Sequence, residues 1–460
     1  RLTGPYLYTN RCGKPVDELW TNLGPEVINI SYTGSRSIIH RVIPIDFSSI
    51  SAFLTGFSTY PQPLRLRLRI FTIFFLYKQT HQTVRKGELS TIMKLVFDKA
   101  DLVKSVGIAM KAVSGKTTMP ILECILLTAE DDALTLIGND MEIGIKTSFE
   151  AVVREEGQMA VNARIFAEII RRLPEEDIRI TADEENNITI ECGRSKFDIK
   201  GQNAVEFPPF PEITQSEALV LPQKAFKDMI KNTIFSIAPE DSGRPILTGE
   251  LMDIRDGYLY LVAVDGFRIS MRRMPVNFSE EKKVTVPGKA LNELQKILEA
   301  EEDSLMSVRL TGKQAIFEMN QTTVVTRLLE GEFLQYQRNL NMDFTTRVTV
   351  QTKELLDSVD RAALISRESK NSPIRLQIEN DKIVITSNAE KGSAYEEVEA
   401  KLEGEGLAIA FNPRYYLEAL KAAESEKVTI LFSSSLTPCI IRDEETEEYK
   451  YFILPIRLHN

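Results

Sequence analysis

The chain has 460 residues, a formal net charge of −10 and the composition of a globular protein, and it is longer than a single core usually accommodates. The charge is unevenly split: residues 93–460 hold 45 Lys+Arg against 61 Asp+Glu, which excludes DNA binding by general electrostatic attraction and leaves only a segregated basic surface or topological binding. The histidines are His40, His81 and His459, so residues 93–458 hold none, and Cys12, Cys124, Cys192 and Cys439 form no Cys-x-x-Cys pair. This argues against His-based catalysis, a metal site or a cofactor, and points to a reducing, cytoplasmic setting.

Residues 1–92 mix Gly, Pro, Ser, Thr and Arg without steady periodicity. The run Arg65–Lys78 has an apolar core too short to span a bilayer. A strand or short amphipathic helix is its plain reading, with a membrane-surface anchor as the alternative. Met93-Lys-Leu-Val-Phe reads as a natural start, so we expect residues 1–92 to be a disordered extension or translated upstream sequence.

From Met93 onward three similar units follow. Each opens with a short strand and an amphipathic helix: Lys94–Phe97 then Lys99–Val113, Ala218–Leu221 then Gln223–Ile237, Arg347–Gln351 then Lys353–Ile365. A Pro-Ile dipeptide then starts a strand pair, at Pro120, Pro245 and Pro373. Turn signals follow at Ala129–Ala133, Arg255–Gly257 and Glu379–Asp381. A second helix is the clearest repeat, beginning at residues 162, 287 and 412. Its apolar positions are Ile165, Phe166, Ile169, Ile170 and Leu173; Leu291, Leu294, Ile297 and Leu298; and Tyr416, Leu417 and Leu420. Each copy carries one basic residue at its third position (Arg164, Lys289, Arg414) and another seven residues later (Arg171, Lys296, Lys421), on one face away from the apolar stripe. For one helix this is an ordinary solvated face; three copies of the same pair call for a common role.

The expected fold is α+β: three tandem similar domains, each with two helices on an antiparallel sheet, since the turns are too short for parallel crossovers. Pro208–Pro211 and Asn339–Asp343 are the expected linkers, giving domains 93–212, 213–342 and 343–460. Ser114–Thr118 resembles the end of a phosphate-binding loop, but Met110 stands where the first glycine is required, so it reads as a basic loop exposing Lys116. The acidic groups Glu175–Asp177, Glu301–Asp303 and Glu444–Glu448 read as solvated turns. Val264–Ser270 reads as a hairpin turn with Phe267 and Arg268 exposed, and the apolar end Tyr451–Leu458 as core or as the lining of a partner groove.

Residues 93–460 resemble the bacterial β sliding clamps, the processivity subunits of the replicative polymerase. The resemblance rests on Met93–Phe97, Met119–Leu122, Cys192–Phe197, Gly243–Leu247, Asp265–Arg268, Leu328–Gly331, Arg361–Ser366 and Leu454–Leu458. It implies the DNA clamp fold and a ring-forming head-to-tail homodimer around double-stranded DNA. Its partners would be the polymerase α subunit, the clamp loader and other clamp-binding-motif proteins, with no membrane partner and no catalysis. Residues implied to face DNA are Lys116, Arg164, Arg171, Arg194, Arg244, Lys289, Lys296, Arg414 and Lys421. A partner-peptide pocket would comprise Leu247, Gly266, Phe267, Arg268, Ile269, Leu334, Arg338, Leu454, Pro455, Ile456, Arg457 and Leu458. Phe197 and Ile199 would meet Leu364 and Ile365 across the dimer seam. The chain departs from the family pattern at Phe267, usually His, and at Glu332–Gln335, where a different pair, often with Pro, follows Leu-Glu-Gly. Two other function classes fit the sequence less well. An enzyme with a carboxylate pair in one domain is disfavoured by the absent histidines and metal spacings. A scaffold without DNA is disfavoured by the basic helix faces.

Overall fold

The computed structural model describes residues 91–115, 117–211, 217–339, 342–367, 372–443, 446 and 448–457, together with the backbone of a small hairpin, Ile30–Thr33 with Arg36–Ile39. The chain divides into two compact units, 1–88 and 89–460. The expectations for Arg65–Lys78 and for Lys116 fall outside the described residues.

Within residues 89–460 the same succession occurs three times. Met93–Phe97 leads into α1 (Lys99–Ala109), and Gly157–Asn162 leads into α2 (Ala163–Arg172). Leu219–Pro222 precedes α3 (Gln223–Lys231), and Lys282–Pro287 precedes α4 (Gly288–Gln295). Thr346–Gln351 precedes α5 (Thr352–Arg367), and Ala408–Phe411 precedes α6 (Pro413–Ala422). The helices pack in pairs, α1 with α2, α3 with α4 and α5 with α6. Asn162 and Asn412 cap α2 and α6 by accepting from the Ile165 and Arg414 amides.

Burial follows helical spacing. On α2, Ala163, Phe166, Ala167 and Ile170 are buried. On α4, Leu291 and Leu294 are buried, and on α6 Tyr416, Leu417 and Leu420. Ile165 corrects the expected stripe: it is 54% exposed, because a residue adjacent to Phe166 lies about 100° around the helix from it.

All registered strand pairs are antiparallel. The tight hairpins at Asp131-Asp132 and Asp256-Gly257 hold both turn residues at positive φ, as a two-residue turn matching strand twist requires. Two expectations are adjusted. Pro120 and Pro245 open 3-10 turns, Pro120–Glu123 and Pro245–Thr248, rather than strands; proline fixes φ and holds its predecessor extended, so one turn forms before Cys124 and Gly249 start the strands. In addition, α3 stops at Lys231 instead of Ile237, where the Thr233 hydroxyl donates to the Met229 carbonyl at 2.7 Å.

The sheets run across the boundaries between units. Ile143–Glu150 of the first unit pairs with Thr322–Arg327 of the second, from Thr147 opposite Thr322 to Ile143 opposite Thr326. Arg268–Pro275 of the second pairs with Tyr449–Ile453 of the third, from Arg268 opposite Ile453 to Arg272 opposite Tyr449. Each unit has its own apolar cluster, and a further cluster straddles the second boundary, with Leu247, Val262, Ile269 and Tyr336 against Leu431, Ile440 and Phe452.

Two of the open strand edges among the described residues belong to the first and third units. Ser195–Lys200 is the last strand of its five-stranded sheet. In Gly392–Gly404, residues 392–399 pair on one side with Lys382–Ala389, and only 400–404 pair on the other, with Thr346–Val350.

Candidate peptide pocket and basic helix faces

The hairpin turn Asp265–Arg268 is built by local chemistry. The Asp265 carboxylate accepts the Phe267 and Arg268 amides at 2.8 and 3.0 Å. Gly266 takes φ +97°, a conformation that side chains rarely adopt. Phe267 is left 60% exposed, as expected.

Arg268, expected to be exposed, is buried. Its guanidinium donates to Asp265 at 2.9 Å, to the Glu418 carboxylate and to the Phe235 carbonyl. It also lies over the Tyr415 and Phe235 rings, at 4.4 and 5.2 Å from their centroids. A buried guanidinium is tolerated only with such partners, and two of the three acceptors and both rings come from elsewhere in the chain. Phe267 stacks on the other partner ring, Tyr415, at 6.3 Å.

The C-terminal segment docks on this hairpin. The Leu454 amide donates to the Phe267 carbonyl at 2.9 Å, and the Ile456 amide to the Ala410 carbonyl at 2.8 Å. Leu247 and Ile269 are buried in the cluster shared with Phe452. Pro455 and Ile456 are half-buried, while Leu454 and Arg457 are exposed. Leu334 is 50% exposed, next to Phe333, which packs on the same cluster. Arg338 lies in the short helical turn Tyr336–Asn339; its side chain and Leu458 fall outside the described residues. The structure therefore brings Leu247, the Gly266–Ile269 turn and the Leu454–Ile456 segment together at the second boundary. A cleft of ≈ 590 Å³ continues from Ile456 past Asn412, Leu417 and Glu418 to Arg414 and Lys421.

The basic helix positions are at the surface: Arg164, Arg171, Lys289, Lys296, Arg414 and Lys421 are all exposed. Arg194, in the turn after Gly193, and Arg244, after Gly243, are exposed too but sit on turns instead of these helices. Each helix face also holds its own carboxylate, a feature the sequence reasoning passed over. Glu168, Glu293 and Glu418 occupy the same repeat position, four residues after the first basic residue. They pair with Arg164 at 3.8 Å, Lys296 at 2.7 Å and Arg414 at 3.0 Å. The Glu418 hydrogen bond raises the Arg414 pKa. Lys289 instead reaches into the first unit, to Asp140 at 2.6 Å and Glu142 at 3.3 Å; burial opposes its charge, but these two carboxylates raise its pKa. Tyr415, Phe235 and Glu418 are further residues of the pocket region that sequence reasoning missed. The signal for Glu418 was the conserved spacing within the chain's own repeat; Phe235 had none.

Around Ser195–Lys200 and residues 392–399, Phe197 is 40% exposed, Leu364 54% and Tyr395 63%. Ile199 and Ile365 are half-buried, and Ile365 lies against Gly392 at the start of its strand. Among the described residues no group of three His, Cys, Asp or Glu could hold a metal, and no helix is long and apolar enough to cross a membrane. Cys124, Cys192 and Cys439 are buried, and burial, with Glu123 nearby, pushes the Cys124 thiol up to about 11.

Three models of the DNA polymerase III beta subunit match the chain in order: the N-terminal domain over residues 93–211, the central domain over 220–335 and the C-terminal domain over 338–457. The chain is 34% identical over 382 residues to the beta sliding clamp of Halalkalibacterium halodurans and 32% over 380 residues to that of Bacillus subtilis. Each match covers 80% of this chain and the whole of the relative. Among solved structures, a putative DNA polymerase III beta subunit from Eubacterium rectale aligns with TM-score 0.77 at 38% identity. The DNA polymerase sliding clamp of Bacillus subtilis aligns with TM-score 0.78 at 32% identity; both alignments cover 80% of this chain and the whole of the other.

Proposed function

Because the chain belongs to the DNA polymerase III beta subunit family, the sliding clamps, which are non-catalytic processivity factors, we propose that two copies close head to tail into a ring that encircles duplex DNA and tethers the replicative polymerase. The observation that carries this reading is the threefold repeat of helices with exposed basic pairs, in a body of net charge −16. Ring topology reconciles an acidic protein with DNA: the basic faces line the hole, the acidic surface turns outward, and weak backbone contacts without sequence information permit sliding. The proposed domains are 93–212, 213–342 and 343–460. At the seam, Ser195–Lys200 of one copy would pair with 392–399 of the next, bringing Phe197 and Ile199 against Leu364 and Ile365 and covering both open edges. The hairpin, Leu247 and the C-terminal segment would receive short linear peptides from the polymerase, the clamp loader and repair proteins.

The test uses the full chain with its cognate clamp loader and ATP. The protein is loaded on nicked circular DNA, washed at high salt, and half the sample is linearised. Retention on circles with loss from linear DNA is expected. Equal loss from both would indicate ordinary electrostatic binding, and equal retention would indicate tight direct contact; either result would sink the ring mechanism.

A further inference from the structure

Glu168, Glu293 and Glu418 hold the same position in the three repeated helices, yet their surroundings differ. Glu168 and Glu293 each pair with one basic residue of their own helix. Glu418 serves two arginines at once: Oε1 accepts from Arg414 at 3.0 Å, and Oε2 accepts from buried Arg268, 150 residues away in the chain. Arg414 is exposed on the helix face, whereas Arg268 sits beneath the pocket hairpin. Between the two guanidinium groups stands one carboxylate, only 27% exposed, at the wall of the cleft that Arg414 also lines.

We propose that Glu418 is a positioning residue shared by the DNA-facing helix and the peptide pocket, so that phosphate bound at Arg414 stiffens the Arg268 hairpin. The inference rests on the DNA-facing reading of Arg414. Coulomb energies add, so at Arg268 the attraction of Glu418 is partly offset by the repulsion of the Arg414 cation on its other side. When a DNA phosphate neutralises Arg414, that repulsion is cancelled and the attraction of Glu418 for Arg268 is no longer offset. Arg268 in turn holds Asp265, whose other oxygen accepts the Phe267 and Arg268 amides. Tyr415, next to Arg414 on α6, transmits through the same place, since it stacks on Phe267 and lies under Arg268. By linkage, a peptide that prefers the stiffened hairpin binds the DNA-loaded protein more tightly, and a bound peptide strengthens the phosphate contact equally.

The experiment measures two quantities on the full chain: affinity for a short synthetic DNA duplex as a function of salt, and hydrogen exchange at the Phe267 and Arg268 amides with and without saturating duplex. In the wild type, duplex is expected to slow exchange at these amides about five-fold, the lower end of typical couplings. Glu418→Gln is expected to act in opposite directions. Arg414 is released to phosphate, so duplex affinity rises and the salt slope steepens by up to about one ion. The hairpin amides exchange faster and no longer respond to duplex. A residue that only held the fold would weaken both together, and that outcome would overturn the proposal. Arg414→Gln, on an exposed side chain that folding does not require, supplies the second variant. It should reduce the salt slope by about one and leave the amides slow with or without duplex. If the slope falls while the amides behave as in the wild type, the coupling is wrong and the DNA-facing reading stands. If the slope does not change, Arg414 does not face DNA and the proposal falls with that premise.

Discussion

The two boundaries between units use the same backbone solution and reach different chemistry. At the first, Ile143–Glu150 extends the sheet through Thr322–Arg327, and Ala112, Ile143 and Ile145 join the second unit's own core. Its polar contacts are modest: the Thr147 and Thr322 hydroxyls meet at 2.9 Å, and Lys289, half exposed, pairs with Asp140 and Glu142. At the second, Arg268–Pro275 extends through Tyr449–Ile453, but buried cations do the joining. Arg268 binds Glu418, and Arg272 binds Glu424 at 2.9 Å. Burial works against the Glu424 charge, yet Arg272 and the Asn232 amide leave its pKa below the usual range. An apolar cluster also stands there, with Phe267 and Leu454 exposed at its rim. Continuous strands make a boundary rigid; whether it also becomes a site depends on what the side chains above the strands leave uncovered.

The largest effect should come from breaking the second boundary at its buried cation. Arg268→Ala takes the buried cation from Asp265 and Glu418, leaving Asp265 only the two turn amides and Glu418 only Arg414, and removes the contact with two rings, so a loss on the order of 3–5 kcal/mol in urea unfolding is expected. A loss below about 1 kcal/mol would mean that the network is incidental.

A titration inside the second unit sharpens the contrast between buried and exposed charge. Glu250 is fully buried, and burial raises its pKa well above the usual range against the opposing pull of the Thr233 hydroxyl. The folded state therefore keeps its proton at pH values where the unfolded chain has released it. Stability falls as pH rises above the unfolded value of 4.5, until the folded pKa is passed. Glu250→Gln should remove that slope, so that the part of the melting-temperature decline above pH 4.5 that this group causes is absent in the variant. An unchanged pH profile would contradict the assignment.

Phe267→Ala removes the Tyr415 stack at the rim. Being largely exposed, Phe267 should contribute little to overall stability, and the double-mutant coupling with Tyr415→Ala in urea unfolding should be about 0.5–1.5 kcal/mol. A coupling near zero would leave the stack without energetic weight. The smallest effect is expected at the first boundary. Lys289→Ala should cost less than about 1 kcal/mol, because Lys289 is half exposed and Asp140 still accepts the Glu142 and Ile143 amides at 3.0 and 2.8 Å. A cost as large as that of Arg268→Ala would erase the distinction between the boundaries.

Local sequence by itself determined the repeat of 125 residues, the α+β class, the turns at Asp131-Asp132 and Asp256-Gly257, and the buried faces carrying Phe166, Leu294 and Tyr416. These follow from period and turn chemistry, which act over a few residues. Ile165 marks the limit of that reading, since an apolar residue beside the stripe need not be inside it. Only the tertiary structure decided the fate of Arg268. Its hairpin reads as exposed because charge favours water, and the partners that reverse this, Phe235, Tyr415 and Glu418, are remote in sequence. The joining of sheets across boundaries was likewise invisible, because an edge strand carries the same alternation whether its neighbour is its own unit or the next. Periodicity tells a residue which side is apolar; packing tells a charge which partner it meets.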